Sequence, residues 1–172
     1  GGDAASFAIT DAGVLSFNAA PDFENKSSYT LDVQASDGTL TAKNTITVNV
    51  TDVNDAPVIA AQTFTPAENQ TAVGTVVASD VDAGTTLTFS LVAGGDAASF
   101  AITDAGALTF KTAPNFESKS SYTLDVQVSD SALDSALTAQ NTITVNVTDV
   151  NETPVIAAQT LSAAENQTAV GT

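Results

Sequence analysis

The sequence contains no Cys, Met, Trp or His. Without Cys there is no disulfide framework, and without Cys or His there is no soft-ligand site for zinc or copper. The same gap removes Ser-His and Cys-His catalysis, and no Gly-rich phosphate loop compensates. Positive charge is scarce: four Lys+Arg stand against 20 Asp+Glu, a formal net charge of −16. Such a chain repels nucleic acid and anionic lipid, and a cation is its natural partner. No apolar run approaches the roughly 18 residues of a bilayer span, so no transmembrane segment is expected. No basic-then-apolar leader precedes Gly1, and the first residues lie inside a phrase that recurs later, as an excerpt from a longer or processed chain would.

What the sequence has in abundance is itself. "GGDAASFAITDAG" opens at Gly1 and returns at Gly94, and "TDVNDAPVIAAQT" from Thr51 returns as "TDVNETPVIAAQT" from Thr148. At an offset of 93, residues 1–37 match 94–130 at 30 of 37 positions; at an offset of 97, residues 40–63 match 137–160 at 21 of 24. The difference is a four-residue insertion near "DSALDSAL", which starts at Asp130 and belongs in a loop. The repeat is thus about 95 residues long, enough for a domain. One unit is complete, 56–153; residues 1–55 are the rear part of a preceding unit and 154–172 the front strand region of a following one.

Within the unit the period is two. "YTLDVQAS" from Tyr29 alternates Tyr29, Leu31, Val33 and Ala35 with Thr30, Asp32, Gln34 and Ser36, and "TITVNVTDV" places Ile46, Val48 and Val50 on one face. Alternation with β-branched enrichment predicts half-buried strands, repeated at 122–129 and 142–150. "TLTFSLV" at 86–92 and the short "FAI" and "LTF" segments read as further strands, and "TDAG" as a tight turn that needs its Gly. About seven short strands per repeat and no helical segment predict an all-β fold, a tandem Greek-key β-sandwich of immunoglobulin-like architecture. The expected core is Phe100, Ile102, Leu108, Tyr122, Leu124, Val126, Ile143, Val145 and Val147.

The acidic residues gather at predicted strand ends and junctions. "DVND" at 52–55 leads into Pro57, which holds the connection extended; Asp80 and Asp82 form a D-x-D pair; Glu24 and Glu117 close "DFE" and "NFE"; Asp37 and Asp130 end the long alternating strands. Carboxylates crowded at one end of a sandwich repel each other unless a cation compensates them. An all-oxygen ligand set favours Ca²⁺, which takes six to eight oxygens in flexible geometry. Asp3, Asp11, Asp96 and Asp104 read more simply as turn residues or solvated surface groups.

In these motifs the chain resembles the cadherin-like tandem repeats of large bacterial surface or secreted adhesins. The family's D-x-N-D-x-x-P linker resembles "DVNDAP" and "DVNETP", its Glu-Asn pair resembles "AENQ" at 67–70 and 164–167, and its D-x-D pair matches Asp80 and Asp82. The acidic turn matches "PDFE" and "PNFE", and the terminal Asp matches Asp37 and Asp130. The resemblance implies Ca²⁺ clamped between successive domains. At the first junction it selects Glu24, Asp52, Asn54, Asp55, Asp80, Asp82 and Asp130; at the second, Glu68, Glu117, Asp149, Asn151 and Glu152. The first set lacks the Glu of its own unit's front, the second has Glu152 where the linker pattern has Asp, and both linker Pro residues sit one position early, so partial occupancy is expected.

Three functions follow as expectations. The first is a non-enzymatic structural spacer of an extracellular or cell-surface adhesin, matrix protein or surface fibre, whose partners are the adjacent repeats. The second is a Ca²⁺-dependent carbohydrate-binding module with glycans as partners; against it, Tyr29 and Tyr122 are the only tyrosines and both occupy predicted core positions. The third is a filament subunit in which 159–172 of one molecule donates a strand to 1–55 of the next, a homotypic fibre contact. A glycosidase using paired carboxylates is disfavoured, because Asp80 and Asp82 already have a place at a junction.

Overall fold

The computed structural model describes residues 2–131 and 136–170. Part of the insertion assigned to a loop, residues 132–135, lies outside them. The described residues form eleven strands: β1 Phe7–Ile9, β2 Leu15–Phe17, β3 Ser28–Ser36, β4 Thr41–Asn49, β5 Gln62–Phe64, β6 Ala72–Thr75, β7 Thr88–Leu91, β8 Phe100–Ile102, β9 Ala107–Phe110, β10 Ser121–Ser129 and β11 Thr138–Asn146. The last seven make a sandwich of two sheets, one of four strands in the order β5-β11-β10-β7 and one of three in the order β6-β9-β8. All pairs in it are antiparallel except β5 with β11, where Gln62, Thr63 and Phe64 run parallel to Ile143, Thr144 and Val145. The all-β sandwich and the seven strands agree with the period-two reading.

The alternation decides which residues face inward. Phe100, Val126, Val128, Ile143 and Val145 are fully shielded, and Leu108, Phe110, Leu124 and Val147 nearly so. Each such side chain contributes roughly 1.5–3 kcal/mol relative to exposure. Two expected core residues sit at its margin: Ile102 and Tyr122 are half-buried and pack against the core from outside. Tyr122 stands edge-on to Phe100 and Phe110, at 5.6 and 5.1 Å between ring centres, and its outer side is capped by Lys119 at 4.6 Å.

The N-terminal hairpins repeat this geometry without its cover. β3 pairs with β4 in the register of β10 with β11, and β1 with β2. Phe7, Phe17 and Tyr29 reproduce the aromatic trio, with Phe7 and Phe17 at 4.4 Å, the separation also found between Phe100 and Phe110. Yet Leu31 is the one buried apolar residue described among β1–β4.

Two local predictions are corrected. Instead of 142–150, the last strand is β11, Thr138–Asn146, four residues earlier at each end. Val147 N–H still bonds Ser120 O (2.8 Å) in the hairpin's own register, and beyond it Thr148 N–H goes to Pro66 O (2.9 Å), in the parallel contact on the β5 side. The expectation of no helical segment also misses two single-turn 3₁₀ helices, Ala4–Ser6 and Ala97–Ser99, in the two "DAAS" phrases.

Asp3 and Asp96, read as plain turn residues, anchor those turns. Asp96 pairs with Lys119 and accepts the Thr123 backbone N–H at 2.9 Å; Asp3 does the same with Lys26 and Thr30 at 2.8 Å. The Lys119 hydrogen bond first, then that of Thr123, holds the Asp96 carboxyl below its ordinary range. A lowered folded pKa means the contribution is present above the unfolded value, about 3.9, and fades as pH falls through the folded one. Asp96→Asn should therefore cost on the order of 1 kcal/mol at pH 6 and much less near pH 2–3, read from urea unfolding at both pH values. An equal loss at both would refute the electrostatic account.

Candidate functional site

Two acidic clusters flank the sandwich, one at each linker. At the second, Glu68, Glu117, Asp149 and Glu152 bring one carboxylate oxygen each within 4.8 Å of the others. Each comes from a different local cause. Glu68 lies in the turn after β5, where Asn69 adopts φ +60°, a left-handed conformation that Asn tolerates better than most residues. Glu117 sits on the turn before β10, Asp149 and Glu152 on the extended linker after β11.

Glu68 is the anchor. It is 1% exposed, and its two oxygens accept the backbone N–H groups of Phe116 (2.9 Å) and Val150 (2.8 Å). Those two bonds, in that order, pull its carboxyl below the usual Glu range despite burial. The charge is thus fixed where the linker, the turn and β5 meet. Glu152 is its opposite: the Asn69 amide donates to it at 3.2 Å and favours ionisation, but desolvation and the charges of Glu117 and Glu68 outweigh this and push its pKa up. Asn151 lies between Val150 and Glu152 in the same exposed linker.

At the first linker the grouped carboxylates are Glu24, Asp52 and Asp82. Asp82 Oδ2 accepts the Asp55 backbone N–H at 2.8 Å, and the Asp82 N–H donates to Asp80 Oδ1 at 3.0 Å, which locks the D-x-D pair to the linker. Asn54 Nδ2 donates to Asp130 Oδ2 at 2.9 Å, while Asp130 Oδ1 accepts the Leu137 N–H at 2.9 Å. Asp130 is 4% exposed, so this contact reaches from the linker into the sandwich end. A hydrogen bond within Glu24 itself favours its ionised form, but desolvation and the charges of Asp52, Asp55 and Asp82 win, and its pKa is raised.

The remaining oxygens of the D-x-D pair test whether these residues suit a cation. Asp80 Oδ2 and Asp82 Oδ1 are buried and meet no hydrogen-bond donor among the described residues. A buried acceptor without a donor is costly, and a carboxylate more so. A hard divalent cation satisfies such oxygens, and the donors around them are all oxygen. The residue set fits Ca²⁺.

Sequence reasoning found the acids but missed Asn69 as a donor to Glu152 and Lys119 as the cap of Tyr122. The first had a signal, an Asn repeated after Glu in both "AENQ" phrases; Asn166 shows the same left-handed φ, +61°. The second had one too, a Lys three residues before Tyr in both "KSSY" phrases, at 26–29 and 119–122, and the structure places both lysines over their tyrosine rings. No helix among the described residues is long and apolar enough to cross a membrane.

Comparison with known proteins supplies the context for this geometry. A family profile described as a bacterial Ig domain matches residues 54–149. Human Protocadherin Fat 1 is 31% identical over 95% of this chain and 4% of its own length, and mouse Cadherin-8 is 33% identical over 81% and 20%. Among solved structures, the protocadherin gammaB7 EC3-6 cis-dimer is similar at a TM-score of 0.65 and 28% identity, over 84% of this chain and 39% of that one. Mouse Cadherin-23 EC22-24 matches at 0.64 and 26%, over 84% and 50%. The chain spans a fifth or less of the length of these two curated relatives.

Proposed function

The chain belongs to the bacterial Ig domain family, as a tandem of cadherin-like β-sandwich repeats, and from that premise we propose that it is a structural spacer of an extracellular or cell-surface adhesin, matrix protein or fibre, stiffened by Ca²⁺ at its linkers. The repeats divide at 55/56 and 153/154. The first site draws on Glu24, Asp52, Asn54, Asp55, Asp80, Asp82 and Asp130, the second on Glu68, Glu117, Asp149, Asn151 and Glu152. The observation that carries the reading is the pair of buried, donorless oxygens on Asp80 and Asp82, beside a linker that hydrogen-bonds to both Asp82 and Asp130. Bound Ca²⁺ would supply the positive charge that lets Glu24, Asp52 and Asp82 remain ionised and close together.

Mechanically, the linker already meets the sandwich end through Asp55 N–H and the Asn54 amide. Those contacts set a direction, and the mutual repulsion of the carboxylates opposes it. Small-angle scattering of the chain should show a larger maximum dimension and a narrower size distribution in millimolar Ca²⁺ than in chelator. Identical profiles would refute stiffening.

The carbohydrate reading lacks a surface. Both tyrosines are half-buried against phenylalanines and carry a lysine over one ring face, which leaves little ring surface for a sugar to stack on. A glycan array probed with the chain in Ca²⁺ should show no saturable binding; a specific hit lost on chelation would replace the spacer with a recognition role.

A further inference from the structure

Residues 1–37 and 94–130 match at 30 of 37 positions, and the seven differences are not scattered. Four of them, Lys111, Thr112, Asn115 and Ser118, line one open cleft of about 560 Å³ beside Tyr122 and the Phe110 end of β9. The first copy has Asn18, Ala19, Asp22 and Asn25 at these places. Both charge changes among the seven fall in this cleft, and they have the same sign. From first copy to second, Asn to Lys adds a positive charge and Asp to Asn removes a negative one.

Folding does not account for these changes. The Lys111 backbone N–H donates to Ser99 O at 2.9 Å, as that of Asn18 does to Ser6 O at 2.9 Å. Their side chains reach Ala98 O and Ala5 O at 2.9 and 3.0 Å. Asn115 Oδ1 accepts the Ser118 N–H at 2.7 Å, and Asp22 Oδ1 accepts the Asn25 N–H at 2.9 Å. Each pair makes the same bond, so the fold is indifferent to which residue stands there.

What changes is the chemistry the cleft presents. The chain has 20 Asp+Glu, and none of them lines it. Lys26, Lys43 and Lys119 each pair with an Asp, whereas Lys111 pairs with no carboxylate among the described residues. Asn115 and the hydroxyls of Ser99, Thr112 and Ser118 add neutral donors around that ammonium. One cation among neutral donors suits a singly charged acceptor, and charge-assisted hydrogen bonds to a carboxylate are the strong kind.

We infer that this cleft is a recognition site for a carboxylate, an Asp or Glu side chain presented by a partner protein. A further copy of this chain is a poor occupant, because two bodies of net charge −16 repel each other. The fitting partner is neutral or basic overall and carries its acid in an exposed segment. The acidic surface around the cleft draws such a partner in, and Lys111 sets where its carboxylate lands. The site uses none of the linker carboxylates, so it stands independently of the Ca²⁺ reading.

The test is an NMR titration of the isotope-labelled chain with a capped Ala-Lys-Glu-Lys-Ala peptide, its Gln counterpart and L-malate, in Ca²⁺ and in chelator. The Glu peptide should shift the amide resonances of residues 111–118. It should bind about tenfold more tightly than the Gln peptide, what one charge-assisted hydrogen bond supplies, with or without Ca²⁺. Combining Lys111→Asn, Thr112→Ala, Asn115→Asp and Ser118→Asn should weaken it by a similar factor. That variant should fold, since the first copy carries the same four residues on the same backbone bonds. Equal affinity for the two peptides, or shifts that the four substitutions leave unchanged, would overturn the inference. Binding that chelator abolishes would overturn it too, by assigning the carboxylate to a bound cation. Malate binding as tightly as the Glu peptide would overturn the partner protein in favour of a free acid.

Discussion

In excess Ca²⁺ the chain should melt about 10–20 °C higher than in chelator. A ligand present at 100 times its dissociation constant and bound only to the folded state adds roughly 2.7 kcal/mol, and each kcal/mol moves the midpoint of a domain this size by about 4–8 °C. Asp80→Ala with Asp82→Ala should remove most of the gain. In chelator the same double variant should melt close to the parent, because the substitutions also delete the two buried oxygens that lack a donor. The gain should depend on pH with a definite sign. Cation binding requires ionised carboxylates, and Glu24 and Glu152 protonate above their ordinary range, so the Ca²⁺ shift should shrink as pH falls from about 6 toward 4. Differential scanning calorimetry at these pH values decides it. Overlapping curves with and without Ca²⁺ at neutral pH would end the cation proposal.

The acidic positions were legible because both copies of the repeat set them at the ends of alternating strands and in the linkers, where charge is not diluted by a hydrophobic pattern. Glu68, Glu117 and the linker segment that carries Asp149 and Glu152 are far apart in sequence, yet the structure brings all four carboxylates together. What the sequence could not show is how they are held. The burial of Glu68 under the Phe116 and Val150 amides depends on the turn at Asn69 and on the linker path after β11. The interlock of Asp80, Asp82 and the Asp55 amide is a matter of angles, and no spacing rule contains it.

The strands were legible for a similar reason. Alternation of Leu124, Val126 and Val128 with polar neighbours leaves one burial pattern open, and all three are buried. Strand ends were less so. β11 stops at Asn146 although Val147 continues the alternation, because the Pro66 carbonyl offers Thr148 a different partner. Tyr122 read as core by its position in the alternation, but it lies at the very start of β10, where Phe100 and Phe110 of the second sheet shield only part of its ring and Lys119 covers another part. A single-strand pattern reports which face is apolar and says nothing of how far the opposite sheet extends.

The two "TDAG" turns separate these influences inside one molecule. Gly13 and Gly106 follow the same three residues and have nearly the same φ, +83° and +82°. Any L-residue there meets left-handed strain of about 1–2 kcal/mol. Around Gly13 there is nothing within 4 Å of an added Cβ, whereas at Gly106 it would lie 2.5 Å from Val76 O and 3.3 Å from the Phe89 ring. Val76 O belongs to a residue whose own N–H is bonded to Gly106 O at 2.9 Å, so the backbone cannot retreat without breaking the link between β6 and β9. Gly13→Ala should therefore cost only the strain, about 1–2 kcal/mol. Gly106→Ala should add displacement of a packed strand and reach roughly 3–4 kcal/mol, a large part of the stability of a domain this size. Chemical denaturation followed by a probe in each half, Tyr29 for the N-terminal hairpins and Tyr122 for the sandwich, measures both. Equal losses would mean that the turn's conformation alone governs its cost. The unequal loss expected here would show that one sequence motif carries different constraints in its two copies, set by the strands packed against it.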